Sequence, residues 1–329
     1  MTTTQRIVGI GNAVVDIQDH CTEQFLVDNQ IEKGAMQLVE AERSAALYSQ
    51  ISSPNPTAGG SVANTIAGVG ALGGQAGFIG RVSDDELGRA YDKALRRIGI
   101  DFPNPPVSGD TLPTSRSMIF VTPDGERSMN TYLGISALLG PQDIPQGYLG
   151  QGEILFIEGY LYDKAPGKEA IHIAAKQSRQ GFGMAGVSLS DSFCVERHRD
   201  DFLSLIKELD FVIGNQHEWM ALFEASDLDK AVVQAQELCR HIVVTQSSGP
   251  VRIVENGVET LVPVERLDPV DTTGAGDQFA AGYLFGVALG RDAAARGRMG
   301  VIAAQEVIMH LGAHPQRDLV KLMQVSGLI

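Results

Sequence analysis

The chain alternates short apolar runs with segments of helical period, and this alternation constrains the fold more than any other feature. Each run is apolar throughout, which is typical of a strand buried on both faces of a sheet. The predicted strands are 7–10, 76–79, 154–157, 183–189, 211–213 and 242–245. The predicted helices between them include 85–98, 170–178 and 231–239. The pattern predicts an α/β fold with a central, mostly parallel sheet and helices on both faces.

Two stretches interrupt the alternation. Residues 12–49 mix polar and apolar pieces, and residues 114–133 form two β-like runs around a Thr-Pro-Asp-Gly turn,. Neither is followed directly by a helix, so we expect them to pair in a small second sheet that acts as a lid. The alternative is a pair of edge hairpins with no moving part. The predicted domains are a large α/β domain over 1–11, 50–105 and 136–329 and a discontinuous β lid over 12–49 and 106–135.

Composition excludes several classes of partner. The 329 residues carry 26 Lys and Arg against 40 Asp and Glu, a formal net charge of −14. So acidic a chain disfavours nonspecific binding to nucleic acid or to an anionic membrane, and local groups must hold any anionic ligand. Three scattered cysteines suit neither a disulfide framework nor a zinc cluster and indicate a reducing compartment, most simply the cytoplasm,. We expect a protein without an export signal or membrane span, either a monomer or a homodimer.

The most informative stretch is DPVDTTGAGDQFAAGYLFGVALG, residues 268–290. Helical spacing begins near Ala275, so the amides of Gly274, Ala275 and Gly276 have no partner inside the helix. Glycine allows a phosphate to approach closely, and the helix dipole adds about half a positive charge at the same place. The pattern therefore predicts an anion site.

Asp277 lies in the first turn of that helix. The helix dipole favours its ionised form, so we expect a low pKa and a carboxylate that accepts a proton from a substrate hydroxyl. A weak base suffices for phosphoryl transfer, because the transition state is loose and the proton leaves late. A first-turn acid alone would only indicate a stabilised helix start; the preceding Gly-Ala-Gly favours a functional role.

A second glycine cluster, PTAGGSVANTIAGVGALGG at residues 56–74, precedes another helix. Asn64 lies one turn into it and faces the same mouth as the backbone of Gly59 and Gly60. Backbone donors and an amide suit a ligand with several hydroxyls; the alternative is a tight turn with an exposed Asn. GNAVVD brings Asp16 to the carboxyl end of the first strand, where a carboxylate can accept two adjacent hydroxyls. This run lacks the third glycine and the helix of a dinucleotide fingerprint.

The two clusters, in this order and spacing, resemble the signatures of the ribokinase-like family of carbohydrate and nucleoside kinases, also called the PfkB family. The matching motifs are DTTGAGD and GGSVANTIAGVGALGG, and the resemblance covers most of the chain. It implies the ribokinase-like fold and a kinase that uses ATP and Mg²⁺. In such kinases the Asp of GAGD is the base. This role falls on Asp277, with Gly274, Ala275 and Gly276 as the anion hole for the transferred phosphoryl.

Other motifs match the family less strictly. GNQHE resembles its N-x-x-E element, which implies that Asn215 and Glu218 lie near the magnesium and act on it through water. VVTQSSGP resembles its nucleotide-binding strand end. That match implies phosphate or ribose contacts from Thr245, Ser247 and Gly249. As in many relatives, backbone oxygens of Asp271 and Thr273 would hold a monovalent cation such as K⁺.

Among relatives the chain most resembles adenosine kinases, on GNAVVD, ERSMNTYLG and LSDSF. The resemblance implies that Arg127 swings over the transferred phosphoryl when the lid closes. The implied acceptor contacts are Asn12, Asp16, Leu38, Gly59, Gly60, Ser61, Asn64, Met129, Thr131, Tyr160 and Phe193. The expected reaction moves the γ-phosphoryl of ATP to a primary hydroxyl, the 5′-hydroxyl of adenosine. Alternatives are a kinase of a free sugar or sugar acid, and a noncatalytic nucleoside-binding sensor.

Overall fold

The computed structural model describes residues 5–51, 54–109 and 112–329. Residues 1–4, 52–53 and 110–111, which fall inside the predicted domain ranges, lie outside the described residues. The strands are β1 (Ile7–Ile10), β2 (Val14–His20), β3 (Met36–Leu38), β4 (Pro56–Gly59), β5 (Ala76–Ile79), β6 (Ser115–Val121), β7 (Arg127–Tyr132), β8 (Ile154–Glu158), β9 (Met184–Ser188), β10 (Phe211–Asn215), β11 (His241–Gln246), β12 (Gly249–Glu255) and β13 (Val258–Val262).

The helices alternate with these strands over most of the chain. They are α1 (Glu23–Asp28), α2 (Ala41–Tyr48), α3 (Ser61–Ala71), α4 (Glu86–Arg97), α5 (Ala165–Gln180), α6 (Ser192–Arg197), α7 (Arg199–Leu205), α8 (Gln216–Leu222), α9 (Leu228–Gln236), α10 (Ala275–Ala288), α11 (Ala293–Val307) and α12 (Leu319–Val325). Short 3₁₀ turns lie at Gly134–Leu138, Pro141–Asp143 and Gly159–Asp163. In the part of the chain that the structure describes, no helix combines the length and apolarity needed to cross a membrane.

The large sheet has eight strands in the order β13-β12-β11-β10-β9-β8-β1-β5. The strands from β5 to β11 pair in parallel, and β12 and β13 continue the sheet as antiparallel strands. Every residue of β1, β5 and β8 is buried, and all of them are apolar except Glu158 at the end of β8,. The predicted α/β fold class is confirmed. All six predicted strands are present, with ends that differ by no more than two residues.

The small sheet has five strands in the order β3-β7-β6-β2-β4. Its centre is the antiparallel hairpin of β6 and β7, whose turn closes with a bond from the Gly125 amide to the Thr122 carbonyl (2.8 Å). Helix α1 packs against this sheet, where the ring centroids of Phe25 and the buried Phe120 are 4.8 Å apart. The prediction assigned residues 56–59 to the large domain, but β4 pairs with β2. These four residues have no strand periodicity, so only the tertiary pairing identifies them.

Helix starts differ between the scaffold and the centre of the molecule. Helices α4, α6, α9, α11 and α12 each begin at an Asp whose carboxylate accepts an amide of the first turn,. Helices α3 and α10 begin instead at Gly60 and Gly274, which have no side chain to cap the first turn. Their first turns are therefore free of local caps. They pack together closely, since a Cβ added at Gly68 would lie 2.2 Å from Gln278 Oε1.

Candidate active site

The start of α10 opens onto a cleft. Gly274 has a φ of 77°, and a Cβ added there would lie 2.7 Å from Ala313, so both conformation and packing require glycine,. A Cβ added at Gly276 would meet no atom of the described residues within 4 Å. The space beside the Gly276 Cα is thus not needed for packing, and Gly276 lines both cavities described below. The Ala275 amide donates to the Thr272 carbonyl (3.2 Å) in the turn before the helix, and its place in the predicted anion hole stays a prediction.

Asp277 stands between α10 and α3. Its Oδ1 accepts a hydrogen bond from Ser61 Oγ (2.7 Å), and its Oδ2 accepts one from Asn64 Nδ2 (3.0 Å). Burial raises the pKa of Asp277 to about 6, against the opposing effect of these two hydrogen bonds. The predicted low pKa is therefore wrong, because desolvation between the helices outweighs the two hydrogen bonds,. A carboxylate with this pKa is still ionised at pH 7 and is a stronger base than an ordinary Asp.

The start of α3 is occupied by a carboxylate that the sequence analysis missed. Glu158 Oε2 accepts the Val62 amide (3.1 Å), and its Oε1 accepts the amide and side-chain nitrogens of Asn12 (3.2 and 2.7 Å). Glu158 is 1% exposed, and burial raises its pKa to about 7. The sequence could have identified Glu158, because it directly follows the apolar run 154–157 and so lies at the carboxyl end of a predicted strand. The same argument identified Asp16.

Asp16 and Asn12 lie next to this helix start. A Cβ added at Gly59 would lie 2.2 Å from Asp16 Oδ2, so the glycine allows the carboxylate to reach the α3 mouth. Burial raises the pKa of Asp16 to about 7; Arg127 opposes the shift and Asp277 adds to it. Asn12 is buried, and its Oδ1 accepts from Ser136 Oγ (3.1 Å), so its side chain is held inside the protein.

Arg127 forms an ion pair between the small sheet and the loop that precedes α10. Its guanidinium, on β7, contacts the carboxylate of Asp271, and both side chains are at most 10% exposed. The same carboxylate accepts the amides of Thr273 and Gly312, each at 2.9 Å. Burial alone would raise the pKa of Asp271, but these hydrogen bonds and Arg127 hold it below its ordinary value. Arg127 therefore lies at the entrance to α10, and its contact with a phosphoryl group stays a prediction.

A small cavity of about 90 Å³ lies beside Asp277. Its lining includes Ser61, Asn215, Glu218, Thr245 and Gly276. Asn215 and Glu218 form a capping box at α8: Asn215 Oδ1 accepts the Glu218 amide (3.1 Å), and Glu218 Oε2 accepts the Asn215 amide (2.8 Å),. Burial raises the pKa of Glu218 to about 7. A buried carboxylate that faces a polar cavity fits a hydrated divalent cation, whose charge would offset the desolvation.

A larger cleft of about 430 Å³ continues from the α10 start. Thr245 and Ser247 line it as the sequence analysis expects, whereas Gly249 opens β12 and is not among its lining residues. The sequence analysis missed its apolar walls, which come from separate elements. They include Val251, Val264, Leu267, Phe279, Val301, Ala304 and Ile308. A partly apolar cleft that ends at an open helix N-terminus suits a flat ring joined to phosphates.

The residues predicted to surround an acceptor base come from four separate elements, which are β3, β7, the 3₁₀ turn at Gly159–Asp163 and α6. Leu38 is the register partner of Thr131 in the small sheet, and Thr131 Oγ1 lies 2.8 Å from Ser117 Oγ. Leu38 and Phe193 are 55% and 71% exposed, so neither is packed into a closed pocket. Met129 and Tyr160 are partly buried. Their contacts with an acceptor stay predictions, as does a monovalent cation at the backbone oxygens of Asp271 and Thr273.

The site combines the Asp277 carboxylate, whose pKa is raised, with an uncapped helix start and two adjoining cavities. A family model described as pfkB family carbohydrate kinase matches residues 34–318, and the chain belongs to that family. The chain is therefore a phosphotransferase that acts on a hydroxyl group. Kinases of this family use ATP, usually with Mg²⁺.

Solved structures and sequence relatives agree with this assignment. A probable sugar kinase protein from Rhizobium etli CFN 42 is 41% identical, with a TM-score of 0.91 and 100% of both chains covered. The adenosine kinase from Sinorhizobium meliloti is 41% identical, with a TM-score of 0.90, covering 98% of this chain and 100% of that chain. The aminoimidazole riboside kinase of Salmonella typhimurium is 29% identical over 235 residues, 69% of this chain and 72% of its own.

Proposed function

We propose that the protein transfers the γ-phosphoryl of ATP to the 5′-hydroxyl of adenosine. The observation that carries the proposal is Asp277, a carboxylate with a raised pKa that two side-chain donors hold beside the open Gly276 amide. Similarity to the Sinorhizobium meliloti adenosine kinase supports the choice of acceptor. The matched motifs GNAVVD and ERSMNTYLG support it as well.

The two helix starts beside Asp277 would bind different ligands, the acceptor at α3 and ATP at α10. Asp16, the Gly60 backbone and Asn64 would hold the hydroxyls of the ribose at the α3 side. The larger cleft would hold the adenine of ATP, so that the phosphates point to the α10 start,. The small sheet would close over both ligands as a lid and exclude water.

In the proposed step the acceptor oxygen forms a bond to the γ-phosphorus of ATP. The bond from that phosphorus to the bridging β,γ oxygen breaks, and ADP leaves with the electron pair. The proton of the acceptor hydroxyl moves to Asp277, and the Gly276 amide stabilises charge on the transferred group. When bound through water at Asn215 and Glu218, Mg²⁺ would neutralise charge on the phosphates. Transfer of this kind depends mainly on positioning and electrostatics.

A kinase of a free sugar or sugar acid is the second candidate. The observation in its favour is similarity to the probable sugar kinase protein of Rhizobium etli, at the same identity as the adenosine kinase. The 5-dehydro-2-deoxygluconokinase of Geobacillus thermodenitrificans is also 27% identical over 262 residues. The acceptor side would then bind hydroxyls alone, with Glu158 and Asn12 close by.

An acceptor panel tests the proposal. ATP consumption is measured by a coupled assay with adenosine, other nucleosides, ribose, fructose and sugar acids. We expect the largest kcat/KM with adenosine and formation of AMP. A larger kcat/KM for a sugar or sugar acid would show that this compound, and not adenosine, is the acceptor. Binding of adenosine in calorimetry, with no ADP formed from any acceptor, would instead indicate a noncatalytic sensor.

A further inference from the structure

His314 reaches the catalytic carboxylate through one intermediate side chain. It lies in the loop between α11 and α12, which no motif of the sequence analysis included. Its Nε2 is 3.1 Å from Asn64 Oδ1, and Asn64 Nδ2 donates to Asp277 Oδ2 at 3.0 Å. The three side chains thus form a continuous chain of hydrogen bonds from the loop to α3 and then to α10.

The direction of each bond follows from what each group can donate. An ionised Asp277 only accepts, so Asn64 must turn its NH₂ group toward it. The amide oxygen of Asn64 then faces His314, and because that oxygen only accepts, His314 must carry a proton on Nε2. Burial lowers the pKa of His314, so the neutral ring with a proton on Nε2 is the form that meets this need at pH 7.

The loop that carries His314 is held in place at several points. Gln278 Nε2 donates to the carbonyls of Asn64 (3.1 Å) and Ala313 (3.0 Å), which ties the loop to α3. The buried Glu306 accepts the amides of Gln316 (3.1 Å) and Arg317 (2.8 Å) through Oε1. These bonds fix the backbone on both sides of His314. The imidazole therefore occupies a defined position instead of sampling the cleft.

We propose that His314 is a positioning residue that holds the Asn64 amide with its NH₂ group toward Asp277. This inference rests on the proposed function, since it assigns the support for the base of that reaction. Without the donor at Nε2, the Asn64 amide can rotate and present its oxygen to the carboxylate. Rotation removes a hydrogen bond that favours the ionised base, and it withdraws the NH₂ group from the acceptor side of the site.

Other charged groups face Asp277 from the surrounding elements. They are Asp16 on β2, Glu158 on β8, Glu218 on α8 and, near Asp16, Arg127 on β7. A substitution at His314 alters none of them directly. A change in the pH profile that follows such a substitution would therefore report on the Asn64 amide.

The test compares His314→Phe, which keeps a ring but has no donor, with His314→Gln, whose amide can donate to Asn64 Oδ1. We expect His314→Phe to lower kcat by about 10- to 100-fold. We also expect the acid limb of its pH profile to move up by about one pH unit. His314→Gln should keep kcat within about threefold and leave the limb in place, and the KM for ATP should hold in both. Equal losses in the two variants, or an unshifted limb in His314→Phe, would overturn the proposal.

A second measurement does not depend on the folding of either variant. The tautomer of His314 in the wild-type protein can be read from ¹⁵N chemical shifts of the imidazole ring. We expect the proton on Nε2 between pH 6 and 8, and a proton on Nδ1 would overturn the proposal. Failure of the wild type to phosphorylate any acceptor would refute the proposed function instead. Normal wild-type turnover with an unshifted limb in His314→Phe would refute the role of His314 alone.

Discussion

The starts of α3 and α10 have similar backbone conformations, but among the described residues only the start of α3 binds a carboxylate of the protein. Each follows a glycine of left-handed φ, 101° at Gly60 and 77° at Gly274, and neither has a side-chain cap from a neighbouring residue. At α3 the protein fills the helix start itself, because Glu158 at the end of β8 accepts the Val62 amide. At α10 the space before Gly276 stays open. A residue of a distant strand thus fills the start of α3, whereas the anion site at the start of α10 stays a prediction.

Asp277→Asn tests the group that joins the two helix starts, and we expect it to have the largest effect. Loss of the base should lower kcat by about 10²- to 10⁴-fold. The KM for ATP should change little, because the α10 amides remain. Steady-state kinetics and calorimetry with ATP measure both. Asp292→Asn, which keeps a good cap at the start of α11, is the control,. A near-normal rate for Asp277→Asn would mean that Asp277 only stabilises the helix.

Gly276→Ala tests whether the open α10 start receives the phosphates. The added Cβ has room, so the free energy of unfolding should hold or rise by up to about 1 kcal/mol from helix propensity,. Turnover should nevertheless fall by about tenfold or more, since the methyl group stands where the anion approaches. Urea unfolding and kcat measure the two effects. Unchanged turnover would remove the difference between the two helix starts.

Glu158→Gln tests whether the α3 start needs its internal anion. The Gln NH₂ group would face a donor, either Val62 N or the Asn12 nitrogens, and one buried group would lose its partner. We expect the free energy of unfolding at pH 8 to fall by about 1–3 kcal/mol. The exposed Glu169→Gln on α5 serves as control. Equal stability of the two variants would show that α3 does not depend on the carboxylate.

The pH dependence should have opposite signs for activity and stability. The base ionises with a pKa of about 6, so kcat should fall toward pH 5. For stability, Asp16, Glu158 and Asp277 have pKa values of about 7, 7 and 6, above their values in the unfolded chain. Their contribution is therefore present at pH 4 and is lost as the pH rises through 6 to 7. Urea midpoints at pH 5 and 8 should differ less in Asp277→Asn than in the wild type; an equal difference would contradict the raised pKa.

Local sequence patterns predicted much of the fold and the α10 side of the site. The six central strands, the hairpin of β6 and β7 and the start of α10 at Ala275 are all present. Residues 56–59 were placed in the large domain and not predicted as a strand, because Pro56–Gly59 has no periodicity and pairs with β2 only in the folded chain. Gly249 was expected to contact phosphate or ribose from its motif alone; it begins β12 and is not among the residues that line the larger cleft, so this contact stays a prediction.

The residues missed around Asp277 share one property, which is that no local motif contains them. Glu158 ends an apolar strand and binds atoms 96 and 146 residues away. His314 lies in a loop and contacts Asn64 across 250 residues. No spacing rule covers such separations, and a lone acid or histidine is ordinary in either setting.

The amino-acid sequence by itself determined where strands and helices begin, because apolar runs and glycines act on the backbone within a few residues. It also determined the family, through two glycine motifs in a fixed order. Only the tertiary structure decided that Glu158 fills the start of α3, that α10 stays open and that Asp277 has a raised pKa. Desolvation and hydrogen bonding depend on distances between residues far apart in the chain, and these distances exist only once the two sheets and the last loop have met.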